Sequence, residues 1–197
     1  MTRIIGGFAG SLTLEVPRSG TRPTSDMVRE AIFSALVARD LVAGARVLDL
    51  YAGSGALGLE AASRGAGSVT LVDSSSAAAN ACRKNAAHIL KAAPAAKAGA
   101  KCVSIDVSSS PVLAYVAGAR QFWDVVFLDP PYELGAGEVT AALTALVPRL
   151  DPAAVVVLER SSRDTAPVIP DGLELDRRKD YGDTALYWLS VADALVE

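Results

Sequence analysis

The stretch Val47-Leu48-Asp49-Leu50-Tyr51-Ala52-Gly53-Ser54-Gly55-Ala56-Leu57-Gly58 constrains the fold of this 197-residue chain more than any other. Val47, Leu48 and Leu50 open it with the character of a buried parallel strand. Two glycines one residue apart follow, and then a run of good helix formers from Ala56 to Ala62. The order is strand, tight turn, helix N-terminus. Gly53 and Gly55 permit positive φ and let a ligand approach the backbone closely. A helix N-terminus leaves amide N–H groups free for a polar or anionic ligand. The stretch reads as a nucleotide-type cofactor site.

Two cofactors compete for it. Gly53-x-Gly55-x-x-Gly58 satisfies the dinucleotide fingerprint, and Asp73 closes the next strand, where a ribose is held. Asp49 discriminates between them. Four residues before Gly53, it sets a carboxylate at the strand's carboxyl end, which repels a pyrophosphate and attracts the ammonium of a methionine moiety. S-adenosylmethionine has that ammonium and no phosphates.

The second informative stretch is Asp129-Pro130-Pro131-Tyr132, after the apolar run Phe122–Leu128. Two consecutive prolines lack N–H groups, fix φ and turn the chain out of the sheet. The Asp129 carboxylate and the Pro130 carbonyl can then accept from one exocyclic amine, and Tyr132 offers a face on which a flipped base stacks. A ring-conjugated amine is a poor nucleophile, so aiming its lone pair at a sulfonium methyl is the chemistry required.

Asp129-Pro130-Pro131-Tyr132 with Asp49-x-x-x-Gly53-x-Gly55 resembles the amino-group methyltransferases that use S-adenosylmethionine. Arg3-Ile4-Ile5-Gly6-Gly7, Arg22-Pro23-Thr24 with Arg29-Glu30-Ala31-Ile32-Phe33, and Leu48 to Ala61 narrow the resemblance. Together they are similar to the RsmD family, bacterial enzymes that methylate guanine N2 in 16S ribosomal RNA, over a span from Arg3 to about Tyr187. The resemblance implies a seven-stranded Rossmann-like sheet and Asp129, Pro130, Pro131 and Tyr132 as catalytic residues. It implies cofactor contacts at Asp49, Tyr51, Ala52, Gly53, Ser54, Gly55, Asp73 and Asp106. Arg3, Arg18, Arg22 and Arg29 are the expected RNA contacts, and the small ribosomal subunit or its assembly intermediate is the expected partner of a monomer.

Composition bounds this reading. Half the residues are hydrophobic, enough for one α/β domain with a sizeable core. No apolar run reaches the ~18–20 residues that span a bilayer, and the N-terminus lacks the apolar region of a signal peptide. Cys82 and Cys102 give neither a disulfide framework nor metal-ligand spacing. A cytoplasmic protein without metal is expected. The net charge of −3 is unevenly spread: five arginines against three acids give residues 1–39 a charge of +2, leaving −5 elsewhere. An RNA-facing surface is therefore expected to include the N-terminal segment.

In chain order, residues 1–40 read as a β-hairpin or mobile arm over 3–16 and a helix capped by Thr24 or Ser25, with Met27, Ala31, Ile32 or Phe33, and Leu36 inward. Residues 41–197 read as the catalytic domain. Its strands are 46–50, 68–72, 101–105, 122–128 and 153–158. Its helices cover about 55–64, 74–90, 107–117 and 137–146, and a hairpin (173–178 and 184–190) closes the chain. Asp106 ends the third strand, where it accepts from an adenine amino group or caps the helix that follows. His88 and Arg177-Arg178-Lys179 read as surface. The alternation predicts a doubly wound, mainly parallel sheet with ligands beyond the strands' carboxyl ends. DNA adenine-N6 methylation, a nicotinamide dehydrogenase and a non-catalytic RNA-binding assembly protein are the rival readings.

Overall fold

Valines, leucines and isoleucines in short runs between glycine-rich turns build the strands at the centre of the molecule, in a computed structural model that describes residues 2–17, 25–94, 102–131 and 133–192. The strands are β1 (Arg46–Leu50), β2 (Ser68–Asp73), β3 (Ser104–Ser109), β4 (Trp123–Leu128), β5 (Leu150–Ser161), β6 (Leu173–Tyr181) and β7 (Thr184–Val191). They form the expected single seven-stranded sheet, in the order β3-β2-β1-β4-β5-β7-β6. The first five are mutually parallel, and β7 runs antiparallel between β5 and β6. The chain winds outward from β1 to β3, then crosses back to β4, so the switch point lies between β1 and β4.

The two faces of the sheet carry separate apolar layers. Helices α1 (Asp26–Ala38), α2 (Ala56–Ser63) and α3 (Ser76–Ala92) cover one, over Val47, Val69, Leu71, Val125 and Phe127. Helices α4 (Val112–Gly118) and α5 (Ala136–Leu146) cover the other, over Leu48, Leu50, Val72, Val126 and Leu128. Alternation along β1 thus assigns Val47 and Asp49 to the first face, Leu48 and Leu50 to the second.

Two expectations need correction. The third strand begins at Ser104 and continues to Ser109, so Asp106 lies within it, paired with Thr70, and caps no helix. Pro111 is the reason: inside a helix it would clash with the preceding turn, and it stands instead at the N-cap of α4. In α1, capped by Ser25, Met27 points to solvent at 64% exposure, and Val28 takes the inward place. Of the two readings of residues 3–16 the structure has the hairpin, docked and with one antiparallel bridge, Arg3–Thr13. Ile4, Ala9 and Leu14 enter the same core as the sheet. The Glu60 carboxylate accepts from Ile5 N–H (2.7 Å) and Gly6 N–H (2.8 Å), and Ser63 accepts from Phe8 and Ala9 N–H (2.9 Å each).

Gly58 sets how closely α2 approaches the sheet. A Cβ there would lie 2.4 Å from Leu71 Cδ2, 2.9 Å from Val69 Cγ1 and 3.1 Å from Asp49 Cβ. Gly58→Ala is expected to lower stability by about 1–3 kcal/mol through overpacking. A denaturant midpoint equal to wild type would refute this.

Candidate active site

The turn between β1 and α2 is backbone held in unusual conformations. Tyr51, Gly53 and Gly55 all have positive φ, at 62°, 58° and 78°. For Tyr51, which carries a Cβ, such a conformation costs on the order of 1–3 kcal/mol and must be held by its surroundings. Ala52 N–H donates to the Val72 carbonyl (3.1 Å) and Gly55 N–H to the Ala52 carbonyl (2.6 Å). From the end of β2, Asp73 accepts from Gly53 N–H (2.9 Å) with one oxygen and from Ser75 N–H (2.8 Å) with the other. From below, α3 holds the turn's carbonyls: the Cys82 thiol donates to Gly53 (3.4 Å) and the Asn85 amide to Ser54 (2.9 Å). Burial, with the charges of Asp49 and Asp73, pushes the Cys82 thiol far up, so it remains a donor and not a nucleophile.

Asp49 occupies a core position of β1 and is 2% exposed. Its carboxylate lies under the first turn of α2 and accepts from Gly58 N–H at 2.8 Å. Burial raises its pKa well above the carboxylate range; the Gly58 bond opposes this, and the charges of Asp129 and Asp73 add to it. Three carboxylates thus converge at the strand ends beside the switch point. Such a site suits a cation and repels a phosphate.

Asp129 leaves β4 beside β1, its N–H 3.5 Å from the Leu50 carbonyl. Prolines 130 and 131 have no N–H, so the segment beyond is held through its carbonyls. Arg160, at the end of β5 and buried, donates from Nη1 to the Pro131 carbonyl (3.3 Å) and from Nη2 to the Leu134 carbonyl (3.1 Å). Leu134 N–H also donates to Pro131 (2.9 Å), and Glu138 of α5 accepts from Gly135 N–H (3.3 Å). Tyr51 faces these groups: burial and the Glu138 charge raise its phenol, and Arg160 opposes them.

The structure brings Asp49, Tyr51–Gly55, Asp73 and Asp129–Pro131 to one end of the sheet. Asp106 is not among them. Ser109, three residues later, is the residue level with Asp73. Arg3 is exposed and lies 3.6 Å from Asp26. Arg29 is fully buried, its Nη2 2.6 Å from Asp26 and its Nη1 3.8 Å from Glu60, and so cannot meet a phosphate. The helix stripe turns it inward beside Val28 and Ile32, where Glu60 offers the compensating charge. Tyr132, Arg18 and Arg22 lie outside the described residues. Glu60, Asn85 and Arg160 escaped the sequence reading. The signal for Asn85 is a polar residue on an apolar helix stripe, Cys82-Asn85-Ile89; for Arg160, a charge directly after the apolar run of β5. Among the described residues no group of acids, histidines and cysteines could hold a metal.

The family model for conserved hypothetical protein 95 matches residues 2–190. The ribosomal RNA small subunit methyltransferase D of Escherichia coli K12 is 36% identical over 184 residues, 93% of this chain and 86% of that protein. The solved structure of the E. coli methyltransferase yhhF superposes with a TM-score of 0.78 at 31% identity, covering 96% of this chain and 97% of that one. The fold extends to magnesium protoporphyrin IX methyltransferase from Synechocystis, solved with bound S-adenosylmethionine, at a TM-score of 0.64 and 15% identity over 88% of this chain and 87% of that one.

The buried Asp49 has a pH signature. A carboxyl whose pKa is raised on folding keeps its proton in the native state while the unfolded chain loses it, so stability falls as pH rises above about 4. Asp49→Asn, which retains an acceptor for Gly58, is expected to raise the melting temperature of the ligand-free protein by a few degrees at pH 7. The gain should vanish towards pH 4. A variant less stable than wild type at pH 7 would contradict the upward shift of Asp49.

Proposed function

This chain belongs to the conserved hypothetical protein 95 family, that of the ribosomal RNA small subunit methyltransferases D, and from that premise we propose its reaction. It transfers a methyl group from S-adenosylmethionine to the exocyclic N2 amine of one guanine in 16S ribosomal RNA. The substrate is the small subunit, assembled or assembling, and the enzyme acts as a monomer. The observation that carries the reading is the convergence of Asp49, Asp73 and Asp129-Pro130-Pro131 at the β1–β4 switch point.

Asp49 supplies the negative charge that a cationic methionine moiety needs, Asp73 an acceptor for the ribose hydroxyls, and the turn 51–55 close backbone approach. S-adenosylmethionine, when bound, supplies an electrophilic methyl on its sulfonium. Asp129 and the Pro130 carbonyl accept the two hydrogens of the guanine amine, which directs its lone pair at that methyl. Tyr132 stacks on the flipped base. On this reading the N-terminal segment faces the RNA, with Arg3 exposed for phosphate.

The test is transfer of labelled methyl to small subunits that lack the modification, with free rRNA and DNA in parallel. Label is expected on guanine N2 of the subunit. Label on DNA adenine would transfer the same chemistry to the rival substrate, and stabilisation by NADH without S-adenosylmethionine binding would favour the dehydrogenase. No transfer despite S-adenosylmethionine binding would favour an assembly protein. Asp129→Ala should lower kcat at least about a hundred-fold while the Kd for S-adenosylmethionine stays within about two-fold.

A further inference from the structure

The two prolines after Asp129 create a structural problem that Arg160 answers. A segment that must hold a carboxylate and a carbonyl in a fixed pose normally does so through its own N–H groups. Prolines 130 and 131 have none, and the N–H of Asp129 lies 3.5 Å from the Leu50 carbonyl. What anchors the segment is its carbonyl oxygens: Leu134 N–H reaches that of Pro131, and the carbonyl of Leu134 takes its donor from another element.

β5 provides one because it outruns β4. The two are in register to Leu128–Leu158, where β4 ends, while β5 continues to Ser161. Leu158 belongs to the α4–α5 face, and Arg160, two residues on, lies on the same face beyond the end of β4. There its guanidinium spans the Pro131 and Leu134 carbonyls, and Asp164 pairs with Nη2 at 2.9 Å. The side chain is 8% exposed. A guanidinium this deeply desolvated is retained only where its donors are used, and its planar fork reaches two carbonyls that an ammonium reaches one at a time.

We propose that Arg160 is the positioning residue of the catalytic segment: its fork fixes Pro131 and Leu134, and thereby the direction in which Asp129 and Pro130 present their acceptors to the amine. This rests on the methyl-transfer reading for its kinetic consequence. The structural consequence, a turn pinned by Arg160, does not. Arg160 makes its hydrogen bonds to Pro131 and Leu134 and meets the turn 51–55 through its charge at the Tyr51 phenol, so its loss should weigh on catalysis far more than on cofactor binding.

The experiment uses the full chain and the variants Arg160→Ala, Arg160→Lys and Asp164→Asn, read in two ways. The first is amide hydrogen exchange at Leu134, whose N–H is bonded to Pro131 and so reports the turn without any substrate. Arg160→Ala is expected to speed exchange there ten-fold or more, with the amides of Gly53 and Gly55 unchanged. The second is methyl transfer to small subunits. The expected result is a kcat ten- to a hundred-fold lower for Arg160→Ala, an intermediate value for Arg160→Lys, and a Kd for S-adenosylmethionine within two-fold of wild type. Wild-type exchange at Leu134, or a wild-type kcat in Arg160→Lys and Arg160→Ala together, overturns the proposal. A Kd that worsens in step with kcat also overturns it, since Arg160 would then support the whole end of the sheet. If Arg160→Ala does not fold, Arg160→Lys and Asp164→Asn must show the same separation, and unchanged kcat and exchange in both overturn it. If wild-type enzyme transfers no methyl, the functional reading fails, while exchange at Leu134 still decides the role of Arg160.

Discussion

The carboxylate of Asp49, buried between β1 and the first turn of α2, is the constraint to which the rest of the site conforms. A charge in that position costs several kcal/mol unless something compensates it. The Gly58 amide compensates partly, and only because residue 58 has no side chain and α2 can close to within contact of Leu71 and Val69. Asp73 and Asp129 make the local balance worse. Folding therefore disfavours the charged form of Asp49, and a cation bound at this end of the sheet would favour that form where a phosphate would not.

Polar side chains on the surrounding helices distribute this arrangement through the molecule. Asn85 of α3 is completely buried and makes three bonds: its amide donates to the Ser54 and Glu15 carbonyls (2.9 Å each), and its oxygen accepts from Glu15 N–H (2.8 Å). One side chain thus ties the cofactor turn to the N-terminal hairpin. Glu60 makes the equivalent tie from α2, holding Ile5 and Gly6 and answering Arg64 and the buried Arg29. Residues 2–17 are consequently tied by side-chain hydrogen bonds to α2, to α3 and, through Asn85, to the turn between β1 and α2.

The periodic parts of this design were legible in the sequence. The order of strands and helices, the parallel sheet with a closing hairpin, the glycine turn and the proline exit all follow from local pattern, and the structure has them at nearly the expected residues. What pattern missed are contacts between distant residues. Arg29 reads as a surface arginine until Glu60, 31 positions away in sequence, is seen opposite it. Asp106 reads as a strand end because acidic residues often are; the triple serine that follows extends a half-exposed edge strand instead, where no apolar run is needed. Asn85 and Arg160 look like ordinary polar residues because their partners are backbone atoms, which carry no sequence identity at all.

The same consideration explains why a C-terminal hairpin remote from the turn between β1 and α2 belongs to this fold. Parallel pairing alone would end β5 where β4 ends, since a strand without a neighbour leaves its N–H and C=O groups unpaired. β7 removes that limit by pairing antiparallel with β5 out to Ser161–Thr184, and Arg160 pairs with Ala185 in that ladder. The overhang that carries the guanidinium beyond the end of β4 is a product of β7, and β6 in turn completes β7's hydrogen bonding on its other side. The antiparallel half of the sheet, which contributes none of the three carboxylates, is what allows the parallel half to end in a proline turn whose Pro131 and Leu134 carbonyls are held by a guanidinium.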